Sequence, residues 1–134
     1  MPKTRPILYL AAPYSHSDEE VRLLRYHTIT AAAARLISDG FVVFSPITMT
    51  HPIDQILADQ GSTLGSDYWV DFDESFMHFC SEIVVLKLDG WQDSRGVQRE
   101  IAFFKAHGRP IRYLEPREVS VDCRVPTTKA AAAA

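Results

Sequence analysis

The sequence predicts an α/β fold: one domain built on a parallel sheet of four to five strands with helices on both faces, Rossmann- or flavodoxin-like. Three observations predict it. Short, continuously apolar runs recur at residues 7–12 (ILYLAA), 41–44 (FVVF), 83–88 (IVVLKL) and 110–114, the profile of parallel strands buried on both faces. Segments of helical periodicity lie between them. The chain has 134 residues, 46% hydrophobic and 23% charged, the size and balance of a single globular domain with a core of its own.

Each element follows from local signals. The first run is closed by Pro13, and Ser15, Ser17 and Asp18 then supply helix caps, with Glu19 and Glu20 as first-turn acids. Val21, Leu24, Ile29, Ala32, Ala33, Leu36 and Ile37 recur at roughly helical spacing, so the helix runs to about Ser38, where Asp39-Gly40 stops it. The second strand, 41–44, ends at Ser45-Pro46. Residues 47–65 carry a weak pattern; Pro52 with Ile53, Ile56 and Leu57 predicts one short helix inside a long loop. Residues 66–80 read as a helix bearing Trp69, Phe72, Phe76 and Phe79. The third strand, 83–88, leads to Asp93-Ser94-Arg95-Gly96, which opens a helix reaching His107 and stopped by Gly108. The fourth strand is 110–114. The domain thus spans residues 1–114; the tail, 115–134, contains proline and ends in five alanines, and carries no assigned fold or function.

Composition excludes several classes. A net charge of −3 and a pI near 5.9 argue against a nucleic-acid partner, which calls for a basic stripe. No apolar run approaches the roughly 20 residues of a membrane span, and the start of the chain leads straight into a strand rather than a signal peptide. Cys80 and Cys123 show no C-x-x-C spacing, which suits a cytoplasmic location. His16, His27, His51, His78 and His107 form no metal-ligand pair, so neither a metal nor a cofactor is expected. G-x-S-x-G, Walker A and G-x-G-x-x-G are all absent.

In a sheet of this kind the ligand sits beyond the carboxyl ends of the strands: residues 13–17, 45–51, 89–96 and whatever follows Leu114. Ser94 and Gly96 lie at a strand-to-helix turn, where free backbone N–H groups and the helix dipole face an anion, and Glu100, four residues beyond Gly96, falls on the same side. The same spacing also fits Ser94 as a simple N-cap and Glu100 as a solvated residue paired with Arg99 or Lys105. Asp73 is either an acid among Trp69, Phe72, Phe76 and Met77, with a raised pKa suited to general acid work, or one of three exposed acids with Asp71 and Glu74. Tyr9, in the first strand, is either a core aromatic or the hydroxyl partner of a catalytic carboxylate. Ala11 and Ala12 are small enough for a ligand to approach, and His51, after the second strand, is either a contact to a base or an exposed loop histidine.

The stretches ILYLAAPYSH, FVVFSPITMTHPI, DESFMHFCSEIVVLKLDGW and DSRGVQREIAFFKAHGRPI, within residues 6–114, together resemble the nucleoside 2-deoxyribosyltransferase superfamily, which includes the 2′-deoxynucleoside 5′-phosphate N-hydrolases. They are most similar to small, largely uncharacterised bacterial proteins on that fold. The resemblance implies cleavage or transfer of an N-glycosidic bond on a nucleoside 5′-monophosphate or nucleoside. It implies Glu100 as the nucleophile at the sugar C1′, Tyr9 as the group orienting it and Asp73 as the acid for the nucleobase. Ser94 and Gly96 fall where the N-hydrolases hold the 5′-phosphate, and Ala12, Ser45 and His51 complete the expected substrate contacts. The chain departs from the pattern in a first loop without glycines and in Ser81, where many members have aspartate. The alternative reading is a non-catalytic nucleotide-binding or sensing module. The expectation is that Tyr9, Asp73, Ser94, Gly96 and Glu100 converge on one cavity. Relatives complete their sites between subunits, and the aromatic excess at Trp69, Phe72, Phe76, Phe103 and Phe104 points to a homodimer or homotetramer.

Overall fold

A computed structural model describes residues 5–62 and 64–119; Cys123 and the terminal alanines lie outside them. Four parallel strands, β1 (Ile7–Ala11), β2 (Val42–Phe44), β3 (Glu82–Leu86) and β4 (Ile111–Leu114), stand in the order β2-β1-β3-β4. Tyr9 is in register with Phe44 on one side and Ile83 on the other. The helices are α1 (Glu19–Ser38), α2 (Pro46–Asp59), α3 (Ser66–Met77) and α4 (Arg95–Ala106). This is the expected α/β sheet, with four strands among the described residues.

Strand alternation splits the core into two layers. Leu8, Leu10, Val84 and Leu86 face α1, through Ile29, Ala32, Ala33 and Leu36. Tyr9, Ala11, Ile83 and Val85 face the opposite way, onto Met77 of α3 and Val97 and Phe104 of α4. Each central strand is buried on both faces, which is why its sequence is continuously apolar. α1 begins where Asp18 accepts a hydrogen bond from the Glu20 N–H at 2.9 Å, and ends at Gly40, whose φ of +101° lies in the left-handed region glycine favours.

Two expectations need correction. The segment after β2 is a 14-residue helix with Pro52 inside it, not a short helix in a loop. Ile47 packs against the α1 layer, but Thr48, His51 and Asp54 are polar and Met49, Ile53 and Ile56 lie exposed, so no continuous apolar stripe marked it. The core also runs past Leu114: a 3-10 turn, Pro116–Val119, buries Val119 against the α1 layer, and the Arg35 Nη1 donates to the Val119 carbonyl at 3.2 Å.

α3 is held to the sheet by an aromatic row more than by depth. Phe76 stacks on Phe44 at 4.5 Å between centroids, Phe72 follows at 5.2 Å, and Met77 is its only buried residue. Arg109 Nη1 donates to the Met77 and Cys80 carbonyls at 3.0 and 2.9 Å, tying the end of α3 and the segment after it to the approach to β4. The position of Asp73 depends on these contacts.

Candidate active site

A cavity of about 830 Å³ opens at the carboxyl edge of the sheet, where the order β2-β1-β3 makes the chain diverge after β1 and β3. The β1–α1 loop, the first turns of α1, the inner sides of α2 and α3, and the entry to α4 all contribute to its wall. Asp73, Ser94, Gly96, Glu100, Ala12 and His51 line it.

Tyr9 reaches the site from the core. Its ring is fully buried between Phe44 and Phe104, each 5.8 Å away, and its hydroxyl donates to Glu100 Oε2 at 2.6 Å. Glu100 shares its helix face with Val97 and Phe104 and so points inward rather than to solvent. Burial pushes the Glu100 carboxyl up to about 8; the Tyr9 hydrogen bond opposes the rise, the Asp73 charge adds to it, and Arg99 opposes it. Burial likewise raises Asp73 to about 6. Asp73 Oδ1 is buried with no hydrogen-bond partner among protein atoms, while Asp71 and Glu74 are exposed; Asp73 is therefore not a third solvated acid. Tyr9 is raised well above its ordinary value, by burial first and then by the charges of Glu100 and Asp73. Two carboxyls with separated proton affinities thus face one cavity, one fixed by a hydroxyl and the other free to bond a ligand.

Ser94 is the N-cap of α4, its Oγ accepting from the Val97 N–H at 3.2 Å, and it also lines the cavity. Gly96 has ordinary backbone geometry, and a Cβ there would meet only Ser94 Oγ, at 3.9 Å. Neither strain nor protein packing requires a glycine; its lack of a side chain leaves open wall.

Two expected contacts stand differently. Ser45 does not line the cavity: its Oγ pairs with Thr48 Oγ1 at 2.7 Å, and Thr48 with Thr30 of α1 at 2.9 Å, a hydroxyl chain that ties α2 to α1. His51 is neither exposed nor in a loop. It lies on α2, buried, with Nδ1 hydrogen-bonded to the Tyr14 hydroxyl and its ring stacked on Tyr26 at 4.2 Å. Burial lowers its pKa, with His27 acting in the same direction, which favours the neutral ring beside the Tyr14 hydroxyl.

Sequence reasoning missed the arginines. Arg22, Arg25, Arg95 and Arg99 all line the cavity, as do the acids Asp54 and Asp93. Arg25 donates to the Ser15 and Asp89 carbonyls at 3.0 and 3.2 Å, clamping the β1–α1 loop to the β3–α4 loop, and Arg22 donates to the His16 carbonyl. The signal was their i, i+3 spacing at the start of a helix that follows the central strand. Among the described residues no three His, Cys, Asp or Glu side chains gather as a metal-holding set, and no helix is long and apolar enough to cross a membrane.

No curated protein matches the chain. Residues 5–115 match the family described as a domain of unknown function (DUF1937), which takes in the whole sheet and every cavity-lining residue named above, and the chain belongs to that family.

Proposed function

We propose that this chain cleaves the N-glycosidic bond of a nucleoside 5′-monophosphate or nucleoside, by hydrolysis or by transfer, with Glu100 as nucleophile. The observation that carries the reading is the 2.6 Å bond from the buried Tyr9 hydroxyl to Glu100 at a cavity that also holds the unpartnered Asp73 oxygen. The resemblance to the nucleoside 2-deoxyribosyltransferase superfamily supports the same three roles. The ionised Glu100 carboxylate attacks C1′ as the C1′–N bond breaks; the bonding pair leaves with the base nitrogen, which takes a proton from Asp73. Water then adds to C1′, giving its proton to Asp73 and releasing Glu100; a second base in place of water gives transfer. Tyr9 holds the carboxylate in line, and no metal or cofactor enters the reaction.

An anionic substrate is supported by the cavity itself. Its four arginines match its four acids, and with Glu100 protonated near neutral pH the wall carries a net positive charge within a chain of net charge −3. The open wall at Gly96 leaves room beside the Ser94 hydroxyl for a phosphate. The chain works in this reading as a cytoplasmic homodimer or homotetramer. Support comes from Tyr68, Phe76 and Phe79, which are 48%, 37% and 77% exposed; Phe104, by contrast, is fully buried and belongs to the core. Light scattering at micromolar concentration is expected to give a dimer or tetramer, and a monomer contradicts it.

The test of function is release of free base from a panel of nucleosides and 5′-monophosphates. Release that Glu100→Gln abolishes supports the glycosidase. Nucleotide binding without release from any member of the panel supports the non-catalytic module instead.

A further inference from the structure

We infer that the cavity is built for a 5′-diphosphate: its arginine wall forms a second phosphate subsite, so that nucleoside diphosphates bind in preference to monophosphates. The inference rests on the reading above only in taking the ligand to be a nucleotide with its first phosphate at Ser94 and Gly96.

Arg22 and Arg25 are half-buried and Arg95 and Arg99 exposed, and none of the four has a carboxylate within 4 Å; the ion pairs among the described residues involve Arg35, Lys87 and Arg112 instead. Even a partly desolvated guanidinium gains from a counter-charge, yet Asp54 and Asp93, which line the same cavity, are not paired with Arg22 or Arg25. Backbone carbonyls take some of the N–H groups: Ser15 and Asp89 for Arg25, His16 for Arg22. These contacts fix the side chains without ion pairing, although Asp54 and Asp93 share the cavity wall with them. Arg22 also lies beside Tyr14, opposing the rise that burial imposes on that hydroxyl.

The two anion-binding regions are contiguous. Arg25 Nη2 reaches the Asp89 carbonyl and lies 3.4 Å from the position a Cβ would take at Gly90. Gly90, with φ +90°, turns the chain into the 3-10 segment Trp91–Asp93 that ends at Ser94. The wall therefore runs from Ser94 and Gly96 along this loop to Arg25 and Arg22. At about 830 Å³ the cavity is also near the top of the roughly 300–1,000 Å³ usual for small-molecule sites. Arginine presents a planar fork that bonds phosphate oxygens in pairs, and a pyrophosphate supplies the oxygens for both regions at once.

The experiment is calorimetric titration of the full chain with inorganic pyrophosphate and inorganic phosphate, in wild type, Arg22→Gln and Arg22→Lys. Wild type is expected to bind pyrophosphate at least about 10-fold more tightly than phosphate, the worth of one charge-assisted pair. Arg22→Gln should bring that ratio close to one, and Arg22→Lys should keep most of it. A wild-type ratio near one, or a ratio unchanged in a folded Arg22→Gln (checked by circular dichroism), overturns the inference; the wild-type ratio decides alone if Arg22→Gln does not fold. Base release from nucleoside mono- and diphosphates separates the two readings. A pyrophosphate preference with no base release from any nucleotide refutes the glycosidase and leaves the subsite standing. Efficient release from monophosphates with no gain for diphosphates does the reverse.

Discussion

Glu100→Gln should make the protein more stable at neutral pH while removing its activity. The carboxyl is pushed from 4.5 to about 8 in the fold, so its folded pKa lies above its unfolded one. Below pH 4.5 both states hold the proton and the group is neutral to stability. Between pH 4.5 and 8 the unfolded chain ionises while the folded one does not, and stability falls as pH rises, by about 1.4 kcal/mol per unit. At pH 7 the accumulated cost is at most about 3 kcal/mol, and because Glu100 opens onto a solvent-filled cavity about 1–2 kcal/mol is the better figure. Glutamine copies the shape of the protonated acid and still accepts the Tyr9 hydrogen bond, so it removes the titration with little change in packing. For a chain of this length the melting temperature should rise by about 4–8 °C at pH 7 and barely move at pH 4.5. Thermal melts followed by circular dichroism at the two pH values measure this. A loss of stability at pH 7, or an equal gain at both pH values, would refute the placement of a buried, protonated Glu100 at this site.

Four further outcomes follow from the same geometry. The active form needs Glu100 ionised and Asp73 protonated, which is the minor arrangement when the two pKa values are about 8 and 6; kcat/KM should therefore be bell-shaped with limbs near those values. In Asp73→Asn the residual activity should instead rise with pH to a plateau, and a falling profile would make Glu100 the acid rather than the nucleophile. Ser94→Ala should weaken monophosphate use about 10- to 100-fold with little change for nucleosides, at a cost of about 1 kcal/mol for the lost cap; equal losses for both substrates would leave the serine as a cap alone. Gly96→Ala should keep or slightly raise the melting temperature, since alanine favours helix and nothing blocks its Cβ, yet lower activity at least about 10-fold on the scale of one lost charge-assisted contact. Unchanged turnover would show that no ligand approaches that wall.

Much of this arrangement was legible in the residues. β1 and β3 were plain because burial on both faces demands unbroken apolar runs, and α1 announced itself through Asp18, Glu19, Glu20 and the stop at Gly40. The spacing of Ser94, Gly96 and Glu100 was compatible equally with a cap and a solvated acid and with one wall of the cavity. Its depth was not legible: whether an acid on a helix is solvated depends on which face meets the sheet, and Glu100 is drawn in because Val97 and Phe104 share that face. α2 was legible only as a short helix because much of its inward side binds through hydroxyls and a histidine, which leave a weak apolar period. Arg22 and Arg25 went unread, because only the strand order sets the start of α1 beside the β3–α4 loop, where Arg25 meets Asp89. Ser45 misled for the opposite reason. It follows a strand directly, but its hydroxyl is consumed by Thr48.

The most direct test of Glu100 as a glycosidic nucleophile is free-base release from 5′-phosphorylated nucleosides by wild type and Glu100→Gln side by side, each confirmed folded. Base should appear with wild type on at least one substrate and fall at least about 1,000-fold with Glu100→Gln, the scale expected when a covalent nucleophile is lost. Release that continues undiminished in Glu100→Gln, or none from any nucleotide with wild type, contradicts it.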